Sequence, residues 1–329
     1  MSHEVETMFY AGEVPWHGLG EKVEKEITAA AAIRFAGLDW SLEKQPLFLK
    51  GKNSVDGIPV IGNSVPNAFA VVRPIDSKVL GVVSGAYEII QNGECFDFMD
   101  SVIREGQAVY HTAGSLFGGS LIFMTVKLPT DAQVGPDKIE KYLLLSSSHD
   151  GSQALSIRWT PIRVVCANTL SAAFGDFTGE FKIRHCRNYR DKVAQARKVL
   201  ELTEHYYDQI EKLFGRLLET SFSHGQMEEF TQNLFPVDGN VSKQTKNKRQ
   251  RVIDLFYTGQ GNAAVKNTKW AAYNAVTEYV DHYATIRKRE GVSAVEARMN
   301  SVIYGSGQNV KQRALDFLTV LNSSNSDKI

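Results

Sequence analysis

The sequence predicts an α+β protein, with an antiparallel β-sheet domain and short helices followed by a mostly α-helical C-terminal half. Between residues 39 and 160, short apolar segments alternate with clusters of Gly, Pro, Asp and Ser, which is typical of strands and turns. From residue 187 to 220, by contrast, there is no proline and one glycine, and apolar residues recur every three or four positions. We therefore place a boundary near residue 180, between a sheet domain at 1–180 and a helical domain at 181–329.

The first half is predicted to contain two short helices and a series of strands. We expect the helices at 27–37, which is rich in alanine, and at 92–106, where apolar residues fall on one side. Residues 39–51 predict a strand pair interrupted by Pro46, and 67–90 predict a β-hairpin about a Pro-Ile-Asp-Ser turn. Because neighbouring segments this close in sequence pair antiparallel, an antiparallel sheet is expected from the next four strands. These lie at 109–114, 119–127, 139–148 and 153–160.

The second half is predicted to be dominated by a long helix at 187–220. Its apolar positions form a heptad seam, defined by Ala196, Val199, Thr203, Tyr206, Ile210, Leu213 and Leu217. At 1.5 Å per residue this helix would be about 50 Å long. A seam of this kind serves self-assembly into a homo-oligomer, or an intramolecular helical hairpin with a second long helix predicted at 268–289.

Composition excludes several classes of protein. The chain of 329 residues carries 37 basic and 37 acidic residues, so no overall field attracts nucleic acid or an anionic membrane. No apolar run is long enough for a membrane span, and the N-terminus lacks the apolar core of a signal peptide. Three scattered cysteines without a CxxC pair favour neither a disulfide framework nor a structural zinc site. We expect a cytoplasmic protein with no cofactor, no metal and no membrane partner.

Local basic clusters nevertheless point to a polyanion. The run 182–198 holds seven Lys and Arg residues against one acid, 243–251 holds five and no acid, and 286–289 adds three. Just before the first run, Arg158 and Trp159 would point to opposite faces of a strand. An exposed sheet with arginine and an aromatic ring can hold single-stranded nucleic acid, and the alternative is a buried tryptophan under one charged face. The predicted contacts are Arg158, Trp159, Arg163, Lys182, Arg184, Arg187, Arg190 and Lys192.

A catalytic alternative rests on His149, Asp150 and Cys166. A His next to an Asp in a glycine-containing loop can hold a proton or a metal, but Asp-Gly is also a hairpin turn signal. Cys166 lies near Arg163, which would favour a thiolate, and His149 with Asn168 would complete a Cys–His–Asn arrangement. A cysteine among apolar residues is otherwise a small buried side chain. No HExxH, GxSxG or phosphate-binding loop motif is present, so an enzyme is the less favoured class.

Three sequence segments resemble one known family. YAGEVPWHGLG near the N-terminus, SHDGS followed by IRVVCANTL, and TKWAAYNAVTEYVDHY near the C-terminus are similar to the phage/plasmid-like protein family of unknown function, DUF932. The resemblance implies a gene carried on a phage, prophage or plasmid and a product acting in the bacterial cytoplasm. It supplies no catalytic residues.

The predicted architecture also resembles the core of Rad52-type and Redβ-type single-strand annealing proteins, in which a β-meander is followed by a helix. That resemblance implies a ring that holds single-stranded DNA in a basic groove. The leading hypothesis is therefore a nucleic-acid-binding protein of a mobile element, acting in single-strand DNA annealing or recombination. The alternatives are an enzyme acting on a nucleotide or defence signal, and a counter-defence protein that binds a host factor.

Overall fold

A computed structural model describes residues 5–11, 21–23, 28–55, 58–106, 108–163, 168–169, 180–191, 198–237, 239–287 and 292–320. The described strands lie in the first half of the chain and most helices in the second, and the sheets are largely antiparallel, so the α+β class is confirmed. The elements of the first half are β1 (Val5–Ala11), β2 (Glu21–Val23), α1 (Ala29–Phe35), β3 (Glu43–Val55), β4 (Ile58–Arg73), β5 (Lys78–Val83), α2 (Asn92–Gly106), β6 (Val109–Leu116), β7 (Leu121–Lys127), β8 (Ala132–Val134), β9 (Asp137–Ser148), β10 (Leu155–Arg163), β11 (Asn168–Thr169) and β12 (Glu180–Ile183).

The remaining elements are helical. They are α3 (Lys198–Glu219), α4 (His224–Leu234), α5 (Lys243–Thr258), α6 (Lys269–Glu278), a π-helical turn at Tyr279–Tyr283, α7 (Ala294–Ile303) and α8 (Ser306–Val320). The helix predicted at 268–289 is thus too long, because the α-helix ends at Glu278 and the π-helical turn ends at Tyr283. The basic residues at 243–251 lie in α5, which Ser242 caps by accepting a hydrogen bond from the backbone N–H of Thr245.

The larger sheet has the order β11-β10-β9-β7-β6-β1-β2, with β12 also paired to β10 and β8 to β9. The four strands predicted between 109 and 160 are confirmed, and so is their antiparallel pairing. The smaller sheet has the order β3-β4-β5. Pro46 lies within β3 rather than between two strands, and β3 is an edge strand, where the missing N–H of proline is tolerated.

The heptad seam of α3 packs inside the molecule. The seam residue Tyr206 packs against Trp159 of β10 at 5.4 Å between ring centroids, and Phe214, next to the seam residue Leu213, lies 4.7 Å from Trp270 of α6 between ring centroids. The Tyr207 hydroxyl donates to the carbonyl of Tyr142 at 2.8 Å. Of the two predicted uses of this helix, the structure shows packing within the molecule. The helix packs against the β-sheet as well as against α6. The seam residues from Thr203 to Leu217 are buried, so this stretch is not available for self-assembly.

The hydrophobic core is continuous between the two halves. Its main cluster contains strand residues and residues of α3 to α6, and Trp270 donates from Nε1 to Asp137 Oδ2 at 2.6 Å. On the other face of the sheet, Met299 of α7 packs with apolar residues of β7 and β9. Helices thus cover both faces of the larger sheet. The boundary near residue 180 stays a prediction, and β12 shows that the sheet continues to Ile183. None of the described helices has both the length and the apolar character needed to cross a membrane.

Candidate nucleic-acid interface

Arg158, a predicted phosphate contact, is used inside the protein. Its guanidinium lies 3.1 Å from Glu180 Oε1, donates a further hydrogen bond to the carbonyl of Ile303, and stacks 5.4 Å from the ring of Tyr304. The side chain is 17% exposed. The prediction of a solvent-facing Arg158 is wrong, because the end of α7 covers this face of β10.

Trp159 is also placed differently from the nucleic-acid hypothesis. It is 3% exposed, packs on Tyr206, and donates from Nε1 to Thr203 Oγ1 at 2.8 Å. A ring must present a face to solvent to stack on a base, so the predicted stacking role is wrong and the alternative of a buried tryptophan is correct. Arg163 ends β10 opposite Ile139, and its side chain lies outside the described residues, as do Cys166 and Lys192.

The remaining predicted contacts form one exposed stretch, which we call the arginine segment, Lys182–Arg190. The side chains of Lys182, Arg187 and Arg190 are 63%, 95% and 74% exposed, and Arg184 is exposed too. The segment begins in β12, whose pairing with β10 places it at the border of the larger sheet. Of the predicted residues, the structure thus groups Lys182, Arg184, Arg187 and Arg190 and separates them from Trp159.

Two inward-facing residues hold the arginine segment on the protein. His185 stacks on Tyr87 at 4.6 Å between centroids, and its Nδ1 donates to the carbonyl of Glu88 at 3.1 Å. Because a carbonyl only accepts, Nδ1 carries the proton, and Nε2 is left to accept from the Ser147 hydroxyl at 3.3 Å. The buried Tyr189 donates its hydroxyl to Glu94 at 2.7 Å. The arginines therefore project from a backbone fixed at two points.

Carboxylates neutralise part of this charge. Lys182 pairs with Glu180 at 2.9 Å and Arg190 with Glu94 at 2.7 Å, whereas Arg187 lies 3.8 Å from Glu88. Burial by itself would raise the pKa of Glu94, but hydrogen bonds from Tyr189 and Arg190 lower it below its ordinary value. Glu94 is therefore ionised at neutral pH. Arg184 forms no ion pair with any described residue.

Beneath the arginine segment lies a buried polar cluster that includes His149. Its Nε2 donates to Asn92 Oδ1 at 3.0 Å, and its ring lies 5.6 Å from that of Trp40. Burial, together with the charge that His185 can carry, lowers the pKa of His149 to about 3, so the ring is neutral. Burial raises the pKa of the neighbouring Cys95 thiol to about 12, which keeps it protonated. Neither group is set up as an accessible base or nucleophile.

Asp150 has a turn role. Its Oδ1 accepts from the backbone N–H of Ser152 at 2.8 Å, and Gly151 takes a left-handed φ of 78° between β9 and β10. The hairpin interpretation of this loop is therefore confirmed. Within the described ranges, no group of three or more His, Cys, Asp or Glu side chains is arranged to hold a metal ion.

Sequence reasoning missed the residues that position the arginine segment. His185 and Tyr189 interrupt the basic run, and an imidazole and an aromatic ring among arginines are a sequence signal for inward-facing positions. Glu88 and Glu94 carry no such signal, because they lie about a hundred residues earlier in the chain and only the fold brings them close.

Comparison with known proteins identifies the family. Residues 79–303 match a family model described as "Domain of unknown function (DUF932)". The chain belongs to this family. The match covers more than half of this DUF932 protein and includes the larger sheet from β6 onward, the arginine segment and α3 to α6. No curated protein and no solved structure matched the chain.

Proposed function

We propose that this DUF932 protein binds single-stranded nucleic acid, DNA in the first place, through the arginine segment. The observation that carries the proposal is the fixed outward projection of four cationic side chains within nine residues. Binding is non-covalent: Lys182, Arg184 and Arg187 neutralise phosphates, and counterions are released.

The anchoring of the segment supports this role. Because His185 and Tyr189 already hold the backbone, little conformational freedom is lost when the arginines meet a phosphate. Arg187 is only loosely paired with Glu88 at 3.8 Å, so a phosphate can replace that carboxylate and accept two hydrogen bonds from the guanidinium. Arg190 is held more firmly by Glu94 and contributes mainly long-range attraction.

We also propose that the protein comes from a mobile element, acts in the bacterial cytoplasm and takes part in single-strand annealing or recombination. These properties follow from the two resemblances and would give the DNA binding a biological role. A homo-oligomeric ring would have to use a surface other than the α3 seam, because the protein's own sheet and α6 cover that seam.

The test is the affinity for a labelled single-stranded oligonucleotide, measured by anisotropy and filter retention over a range of salt concentrations. We expect R184E/R187E to weaken binding roughly tenfold or more and to reduce the salt slope by about two. K212E/R216E on α3 is the matched control, since it makes the same charge change at two exposed residues. Undiminished binding by R184E/R187E, or an equal loss in the control, would contradict the assignment.

A further inference from the structure

A second cationic surface lies on α5, at the start of which Lys243 and Lys246 are exposed. Arg251, two turns further along, is exposed as well. Across the described residues none of these three side chains forms an ion pair, and residues 243–251 contain no acid. The charge of this surface is therefore not neutralised as that of the arginine segment is.

The position of these lysines does not serve the stability of the helix. The first turn of a helix carries the positive end of the dipole and favours acidic residues, yet the first turn of α5 has none. Lys243 and Lys246 are three residues apart and repel each other. These two lysines therefore destabilise the free protein. Binding of an anion at the start of α5 would explain their presence.

An exposed aromatic ring adjoins this charge. Tyr283 is 46% exposed, and the Arg251 guanidinium lies 4.1 Å from its ring centroid. The π-helical turn positions the ring: Tyr279 at its start is buried against Phe235, whereas Tyr283 at its end faces solvent. The stacked pair presents a flat, positively charged surface.

We propose that Lys243, Lys246, Arg251 and Tyr283, which we call the stacking surface, form a second binding site for single-stranded nucleic acid. The lysines contact phosphates, and a base stacks on the Tyr283–Arg251 pair. This rests on the proposed function and adds what the arginine segment lacks, since Tyr189 within that segment and Trp159, the predicted stacking residue, are both buried. A ring that contacts unpaired bases distinguishes a single strand from a duplex, whose bases are already stacked.

The experiment compares the full chain and its variants on labelled oligothymidylate of about 30 nucleotides and on a duplex of equal length. We expect Tyr283→Ala to weaken binding of the single strand roughly 5- to 100-fold while changing duplex binding little. Tyr283→Phe keeps the ring and should bind as the unmodified protein does. K243Q/K246Q should weaken both probes and reduce the salt slope by about two, with K212Q/R216Q as the matched control.

A photocrosslink provides a second measurement. An oligonucleotide containing 5-iodouracil, which couples to an aromatic ring stacked on it, should attach to the peptide that contains Tyr283. Crosslinking that is equally strong in Tyr283→Ala would contradict the inference.

The two proposals fail in distinguishable ways. If Tyr283→Ala and K243Q/K246Q bind normally while R184E/R187E does not, the stacking surface is wrong and the proposed function stands. If the two α5 variants lose binding and R184E/R187E keeps it, the stacking surface is supported and the arginine segment is wrong. If the unmodified protein binds neither probe, both proposals are overturned.

Discussion

The arginine segment and the cations of the stacking surface both lie in basic runs of the sequence, but the fold surrounds the two runs with different residues. Around the arginine segment, Glu180 of the same strand and the sequence-distant Glu88 and Glu94 form ion pairs with its cations. Around the stacking surface no described carboxylate does so, and Tyr283 arrives instead. A basic run therefore predicts where cations lie, but the net charge of the surface depends on which residues the fold brings beside it.

The largest expected difference is between Trp159, the ring that the sequence predicted to stack on a base, and Tyr283 of the stacking surface. Trp159→Ala should lower the free energy of unfolding by about 3–5 kcal/mol, because it leaves a cavity against Tyr206 and removes the hydrogen bond from the indole to Thr203. Tyr283→Ala should change it by less than about 1 kcal/mol, since that ring is half exposed. Urea unfolding of both variants measures the contrast. A stable Trp159→Ala protein that has lost only DNA affinity would reverse the assignment of the two rings.

A lower pH should reduce the free energy of unfolding, because His149 is buried in its neutral form beneath the arginine segment. His149 is neutral in the fold with a pKa of about 3, whereas in the unfolded chain its pKa is about 6.5. As the pH falls, the unfolded state therefore binds the proton first. The contribution of neutral His149 to the free energy of unfolding is complete above pH 6.5 and is lost between pH 6.5 and 3. The loss is about 1.4 kcal/mol per pH unit within that interval.

Thermal unfolding from pH 8 to pH 4 tests this effect. His149→Gln, whose amide can still donate to Asn92, should unfold with a flatter pH profile than the unmodified protein. The control for other groups is internal, because His111, whose pKa burial lowers to about 4, is present in both proteins. Identical profiles would show that His149 does not titrate as described.

Removing a carboxylate that neutralises an arginine should strengthen DNA binding by the arginine segment. Glu88→Gln frees Arg187 from its only ion pair among the described residues, so single-stranded DNA should bind roughly two- to fivefold more tightly at low salt. Glu219→Gln, an exposed residue at the end of α3, makes the same charge change and is the control. An equal gain in both variants would indicate only a general effect of net charge.

The smallest expected effect is that of Lys243 at the start of α5, where one substitution should change stability and DNA binding in opposite directions. Lys243→Glu replaces a repulsive charge at the start of the helix by a favourable one and should stabilise the protein by about 0.3–1 kcal/mol while weakening DNA binding. Lys212→Glu, in the middle of α3, should give no such gain in melting temperature. A Lys243→Glu variant that is less stable would remove the argument that this lysine is retained for a partner.

Local chemistry made much of the fold predictable. The turn after β4 follows from Pro74 and from Asp76, whose carboxylate accepts hydrogen bonds from Arg73 and from the backbone of Lys78. The loop at His149 follows from Asp-Gly, and the four central strands follow from their apolar pattern. These features depend on residues close in sequence, so the sequence predicts them.

The site was less predictable. A strand pattern shows that Arg158 and Trp159 lie on opposite faces, but it does not show that α7 covers the first and α3 the second. The spacing of apolar residues gives no sign of the π-helical turn that exposes Tyr283, so it predicted a single helix at 268–289. Both features are set by packing between elements far apart in the chain.

The sequence by itself determined the α+β class, the four central strands, the DUF932 resemblance and the positions of the basic runs. These depend on side-chain periodicity, turn chemistry and composition. Only the tertiary structure decided which charges remain free and which aromatic rings remain exposed. The reason is that burial and ion pairing depend on contacts between distant residues: Trp159 is enclosed by α3, Arg190 is neutralised by Glu94, and Tyr283 lies open beside Arg251.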